Sequence, residues 1–198
     1  MSFNVSRETE QRLQLYEALI RRWNPRINLV APSTLPDLRQ RHIEDCLQIA
    51  RHVTPDDGLW VDLGSGGGLP GLILAIAFAD RPTRFLMVES DQRKAAFLRS
   101  AIRELDLPRS SVLSSRIEAA DPLKAAYISA RALAPLARLM PYLGKHLADD
   151  GQAWLMKGER WQTELDEARQ AWRFALESHD SITQPGAAIL KISEVSHV

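Results

Sequence analysis

The sequence predicts an α/β fold: a doubly wound, mostly parallel sheet of seven strands with an antiparallel C-terminal edge, preceded by a helical extension. Three observations predict it. Apolar runs of strand length alternate with helix-length segments from residue 58 to residue 173, the pattern of a parallel sheet covered on both faces. A glycine-rich run, Gly64-Ser65-Gly66-Gly67-Gly68, separates the first of these strands from the first of these helices. The last strand-like segments have no long helix between them, only a turn-rich stretch with Pro185-Gly186, so they are expected to pair antiparallel at one edge.

The elements follow in order. Leu13, Tyr16, Leu19, Ile20 and Trp23 recur at helical spacing over residues 7–23. Asn24-Pro25 is expected to stop that helix, because proline disfavours helix in the residue before it. A loop through Pro32 and Pro36 leads to a second helix near Leu38–Val53. Thr54-Pro55-Asp56-Asp57-Gly58 then breaks the chain, dividing a helical extension, residues 1–57, from a nucleotide-type domain, residues 58–198. Strands are expected at Leu59–Leu63, Arg84–Glu89, Ser111–Ser114, Tyr127–Ala130 and Gln152–Met156, then at Phe174–Glu177 and Ala187–Ile192. Helices are expected at Leu69–Ala79, Asp91–Leu105, Pro135–Leu147 and Arg160–Arg173.

Composition narrows the function. Lysine plus arginine number 25 and aspartate plus glutamate 25, so no bulk basic charge points to nucleic acid. The single cysteine, Cys46, permits no intrachain disulfide and suits a reducing compartment. Met1 to Glu10 is polar and charged, unlike a signal peptide, and no apolar run reaches membrane-spanning length. A soluble cytoplasmic protein is expected.

The glycine run is the main site signal. Glycine allows positive φ and leaves no Cβ between backbone and ligand. In doubly wound sheets, ligands bind beyond the carboxyl ends of the strands, which is where Gly64, Gly66 and Gly68 fall. Glu89 ends the second strand twenty-one residues after Gly68, the place of an acid that binds ribose hydroxyls. An adenosine-type cofactor is implied. The spacing is Gly-x-Gly-x-Gly followed by Leu69-Pro70-Gly71, which argues against an NAD-dependent dehydrogenase; no Gly-Lys-Ser/Thr follows, which excludes a P-loop. Asp62, just before the turn, suits a cofactor carrying an amino group or cation and would be unwelcome beside a pyrophosphate. S-adenosylmethionine (SAM) fits, with Asp62 as a plain turn cap the alternative.

The run Asp62 to Gly71 resembles the SAM turn of the ribosomal RNA small-subunit methyltransferase G family, RsmG (GidB). Trp23-Asn24, Ile27-Asn28-Leu29, Arg41-His42-Ile43-Glu44-Asp45, Glu89-Ser90, Lys94 with Phe97-Leu98, Ser115-Arg116-Ile117-Glu118, Arg131-Ala132 and Lys157-Gly158 match in the same order, over about residues 10–160. The resemblance implies a class I SAM-dependent methyltransferase fold, Rossmann-like. It implies methyl transfer to N7 of one guanosine in 16S ribosomal RNA, with that RNA or the small ribosomal subunit as partner. By position, Gly64 and Leu69 would line the SAM site, Ile117 and Glu118 would flank the adenine, and Arg131 would lie beside it. The chain departs from the family pattern at Cys46, where serine is usual, at Ala125-Ala126-Tyr127, where an aspartate is usual, and at Gly186-Ala187-Ala188, where an arginine is usual.

Guanine N7 carries a lone pair and no proton at neutral pH, so no general base is needed, only alignment. Arg131 and Lys157 are therefore assigned to positioning. The Ser129-Ala130-Arg131-Ala132 run lacks the Asn/Asp-Pro-Pro-aromatic pattern of exocyclic-amine methylation. Carbon methylation needs a cysteine nucleophile, and Cys46 is far in sequence from the strand ends. His42 and Asp45 share a helix face, either as a pair near the site or as a surface or self-satisfied pair. Arg21, Arg22, Arg26, Arg39 and Arg41, and Arg93, Lys94, Arg99 and Arg103, form either solvated faces or phosphate-contacting patches. The remaining histidines show no metal-ligand spacing with Cys46, so no metal is expected, and a monomer is the default. The rival functions are a methyltransferase acting on a small molecule or protein, and a SAM- or RNA-binding module without catalysis.

Overall fold

The computed structural model describes residues 5–198; residues 1–4 of the polar N-terminal stretch lie outside it. Seven strands form one sheet in the order β3-β2-β1-β4-β5-β7-β6. They are β1 (Leu59–Leu63), β2 (Arg84–Val88), β3 (Ser110–Leu113), β4 (Ala125–Arg131), β5 (Leu147–Lys157), β6 (Trp172–Asp180) and β7 (Ala188–His197). β1 to β5 run parallel, and β7 lies antiparallel between β5 and β6. The order reverses between β1 and β4, which opens a crevice at their carboxyl ends.

Alternation along each strand divides the core. Trp60, Phe85, Met87, Trp154 and Ile189 face one side, where α1 (Arg7–Ile27), α3 (Gly71–Ala77) and α4 (Gln92–Glu104) cover them. Val61, Leu63, Val88, Ile128, Leu155 and Leu190 face the other, beneath α5 (Leu136–His146) and α6 (Trp161–Ala168). Trp60 is fully buried, its ring 5.0 Å from Tyr127 and 5.7 Å from Phe85. Its Nε1 donates to Ser129 Oγ at 3.0 Å, so the indole leaves no polar atom unmet. No helix among the described residues is long and apolar enough to cross a membrane.

β5 starts five residues earlier and β7 ends five residues later than expected, and three helices depart from expectation. α1 does not stop at Asn24-Pro25 but runs to Ile27. The Asn24 side chain bonds both Val30 N–H and Val30 O, holding the turn around the proline. The helix ends instead at Asn28, left-handed at φ 48°, whose N–H returns to Asn24 O. The second helix is not regular: a wide π-type turn, Arg39–Glu44, leads into one α turn, α2 (Asp45–Leu47), and a 3₁₀ turn, Gln48–Arg51. The last helix ends at Ala168 rather than Arg173. Trp172 already belongs to β6, paired with His197 and packed on Gly144. Tertiary pairing there overrides helical spacing.

Candidate active site

The turn after β1 is pinned on all sides. Gly64 N–H and Ser65 N–H both donate to Val88 O at the end of β2, at 2.9 and 3.1 Å. Gly68 N–H returns to Ser65 O at 2.7 Å. From α1, the buried Tyr16 hydroxyl donates to Gly67 O at 2.7 Å, so the helical extension holds the turn directly. Gly64, Gly66 and Gly68 have φ of 67°, 54° and 86°, which L side chains rarely adopt. A Cβ on Gly64 would lie 2.6 Å from Leu133 Cδ1, and one on Gly68 2.5 Å from Leu72 Cδ1. A Cβ on Gly66 meets nothing nearer than Gly64 O at 3.9 Å, so this residue faces space the protein leaves open.

Glu89 stands beside that space. Its Oε2 accepts from Gly66 N–H at 2.8 Å and its Oε1 from Asp91 N–H at 2.7 Å. Both oxygens keep lone pairs for further donors, as two ribose hydroxyls require. Asp62 lies beneath the turn, 1% exposed. Its Oδ1 accepts from Ser129 Oγ at 2.7 Å, and its Oδ2 lies 2.7 Å from where a Gly71 Cβ would stand. Burial pushes the Asp62 carboxyl up to about 6, against the hydrogen bond from Ser129. Oδ1 thus ties β1 to β4, while Oδ2 has no hydrogen-bond partner among the described residues.

Ile117, nearly buried, sits in the loop after β3. The α5 side chains His146 and Lys145 hold that loop by donating to Ile117 O and Glu118 O. The Glu118 carboxylate accepts from the Tyr142 hydroxyl and is otherwise exposed. Leu69 is half-buried and packs on the helical-extension side of the core.

Arg131 ends β4 and joins the helical extension to the sheet. Its Nη2 donates to Arg41 O at 3.1 Å and to His42 Nδ1 at 2.9 Å; its Nη1 lies 3.5 Å from Cys46 Sγ. Asp45 Oδ2 is 3.4 Å away. The π-type turn brings the Arg41 carbonyl and the His42 ring onto one guanidinium. Arginine cannot accept, so His42 Nδ1 must, and Nε2–H then donates to Thr34 Oγ1 at 2.8 Å. Burial, with the charges of Arg131 and Arg41, lowers His42 to about 4, which keeps it neutral. His42 and Asp45 therefore meet on Arg131 rather than on each other.

Cys46 lies against this guanidinium despite its distance in sequence. It is fully buried, and burial pushes the thiol up to about 12, so it supplies no thiolate. Lys157 ends β5, and its Nζ is 2.6 Å from Glu164 Oε2 and donates to Ala134 O at 2.9 Å. Glu164 Oε2 also accepts Leu136 N–H at the start of α5. The lysine charge is spent on fixing the β4–α5 loop.

Sequence reasoning missed Tyr16, Ser129 and Gln48. Gln48 Nε2 donates to Thr183 Oγ1 at 2.9 Å and its Oε1 accepts Ile182 N–H at 2.7 Å, clasping the loop between β6 and β7. A cavity of about 440 Å3 opens beyond the ends of β4 and β5, lined by Arg131, Leu133, Met156, Lys157, Ser181 and Ala188 among others.

The family model for rRNA small subunit methyltransferase G matches residues 9–192. The chain belongs to that family. The ribosomal RNA small subunit methyltransferase G of Paracoccus denitrificans is 55% identical over 98% of this chain and 99% of its own. That of Gluconobacter oxydans is 47% identical over 98% of each. A SAM-dependent methyltransferase from Aquifex aeolicus shares the fold at a TM-score of 0.61 and 10% identity, covering 96% of this chain and 99% of its own. A ribosomal protein L11 methylase from Lactobacillus delbrueckii subsp. bulgaricus also shares it, at 0.61 and 16% over 77% and 78%. As a family member the chain is a class I methyltransferase that uses SAM. The open face at Gly66 and the poised Glu89 carboxylate fit that cofactor.

Proposed function

We propose that the chain methylates N7 of a guanine in 16S ribosomal RNA. Bound SAM would supply a methyl electrophile whose sulfur keeps the electrons of the broken bond. Glu89 takes the ribose hydroxyls, Gly64 and Gly66 admit the cofactor against the backbone, Leu69 lines the site, and Ile117 and Glu118 border the adenine. The guanine enters the cavity beside Arg131 and Lys157. Arg131 and Lys157 would position the base so that its N7 lone pair faces that methyl. No proton moves, and holding the two reactants in line supplies several kcal/mol of the barrier.

One observation carries the choice of N7: among the described residues, the ionisable side chains at the cavity or against Arg131 offer no free base or nucleophile. His42 gives its only lone pair to Arg131, Lys157 is paired with Glu164, Asp45 with Arg131, and Cys46 is a sealed thiol. Exocyclic-amine methylation sheds a proton, and carbon methylation needs a thiolate. Attack by N7 needs neither. On this reading residues 58–198 bind the cofactor, residues 1–57 brace the site, and the enzyme works in the cytoplasm as a monomer without metal.

Labelled methyl transfer from SAM to small subunits and to free 16S rRNA, with nuclease digestion and chromatography of the nucleosides, tests this. Label in 7-methylguanosine is expected. Label in an N2-methylguanine or a methylated pyrimidine overturns the N7 reading, and SAM binding without label in any RNA favours a non-catalytic module.

A further inference from the structure

The inner cavity beside Arg131 meets a second one, about 430 Å3, across a lip formed by Asp45 and Gln184. Asp37, Gln40 and Arg41 line the outer cavity together with Thr183 and Pro185 of the β6–β7 loop. The chemistry above makes no use of it.

The arginines of the helical extension are mostly consumed within the protein. Arg21 pairs with Glu17, Arg22 with Glu104, and Arg39 with Glu10 and Glu44. Arg12 donates to Leu105 O. Arg7, Arg26 and Arg41 are exposed, and their guanidiniums make no hydrogen bond or ion pair among the described residues; of the three, Arg41 lines the outer cavity. Its backbone is nevertheless fixed, with Arg41 O accepting from Arg131 at 3.1 Å and Arg41 N–H donating to Asp37 O at 2.9 Å. A cation with a fixed root and a free head thus stands at the rim of the base-sized cavity.

We infer that the outer cavity holds the RNA backbone next to the target guanine, with Arg41 on a phosphate. This rests on the RNA-methyltransferase reading and extends it to a second subsite. The Arg131 guanidinium offsets the carboxylate charge of Asp45 beside that phosphate, with Oδ2 at 3.4 Å from it and Oδ1 accepting from Gln48 and Thr183. Asp37, exposed in the same groove, is an acceptor for a ribose hydroxyl, the group that marks RNA. Phosphate contacts of this kind set register without reading sequence. A formal net charge of zero gives no bulk attraction to RNA, so local phosphate contacts carry weight.

The test measures methyl transfer to small subunits from cells lacking this gene, over a range of salt, for the natural chain, Arg41→Gln and Arg41→Lys. Arg41→Gln is expected to raise KM about five- to tenfold at low salt. It should lower the slope of log KM against log salt by about 0.7, the share of one phosphate on a single strand. Arg41→Lys keeps the slope, and all three bind SAM equally by calorimetry. A natural KM and slope in Arg41→Gln, with the natural chain active, overturns the subsite and leaves the N7 reading intact. Loss of SAM affinity in Arg41→Gln overturns it too, by showing an effect passed through Arg131. A natural chain that methylates no rRNA overturns both.

Discussion

Gly66→Ala should separate cofactor binding from folding. At φ 54° the new methyl costs about 1–2 kcal/mol of left-handed strain, of which about 0.4–1 kcal/mol returns through a stiffer unfolded chain. It meets no protein atom within 3.9 Å, so the net loss of stability is about 1 kcal/mol. Gly68→Ala is the counterpart. At φ 86° its methyl would lie 2.5 Å from Leu72 Cδ1 and 2.8 Å from Leu72 Cβ. Leu72 is fully buried at the start of α3, so overpacking of about 1–3 kcal/mol adds to the same strain. Urea unfolding should therefore show a small shift for Gly66→Ala and a loss of about 3 kcal/mol for Gly68→Ala. SAM calorimetry should show Gly66→Ala weakened by at least about 2 kcal/mol, roughly thirtyfold, because its methyl stands where the cofactor must approach. Natural SAM affinity in Gly66→Ala, or a stability loss equal to that of Gly68→Ala, would refute the placement of the cofactor.

Other outcomes follow from the same contacts. Asp62 keeps its proton to about pH 6 when folded but only to about 4 when unfolded, so it subtracts about 3 kcal/mol as pH rises through that window. Asp62→Asn should gain on the natural chain by about that much between pH 4 and pH 7 in urea melts; a constant difference would contradict this. Lys157→Met leaves Glu164 without its cation and should cost about 2–4 kcal/mol, while Lys157→Met with Glu164→Gln loses less than the sum of the single changes. Arg131→Ala strips Asp45, Arg41 O and His42 Nδ1 of one shared donor and should cost about 2–4 kcal/mol, so turnover is not the only casualty. In that variant His42 should titrate above about 4 by NMR, with burial and Arg41 still holding it below its ordinary 6.5; an unmoved value would remove Arg131 as a cause. Because the depressed His42 gives stability that is lost as pH falls from about 6.5 through about 4, the variant should also lose less on acidification.

The parallel sheet, its antiparallel edge and the glycine turn were legible because they rest on local periodicity and on glycine at strand ends. Glu89 was legible by spacing alone, since β2 must bring the residue that follows it beside the turn. Other features were not, for a common reason: their partners are distant in sequence. Tyr16 reads as core by spacing, and nothing near it signals a bond to Gly67 O fifty-one residues away. Gln48 reads as a polar residue on a helix, yet its partners are Ser181, Ile182 and Thr183. The irregular 39–51 segment follows from the same long-range demand, because its wide turn serves Arg131. Asp62 is a further case: its type and position suggest a ligand contact, but nothing near it signals the bond that one of its oxygens takes from Ser129, sixty-seven residues on.

The most direct test is mass-spectrometric mapping of 16S rRNA modifications in cells with and without this gene. The account predicts that one N7-methylguanine disappears and returns with the natural gene but not with Gly66→Ala. An unchanged modification map would contradict it.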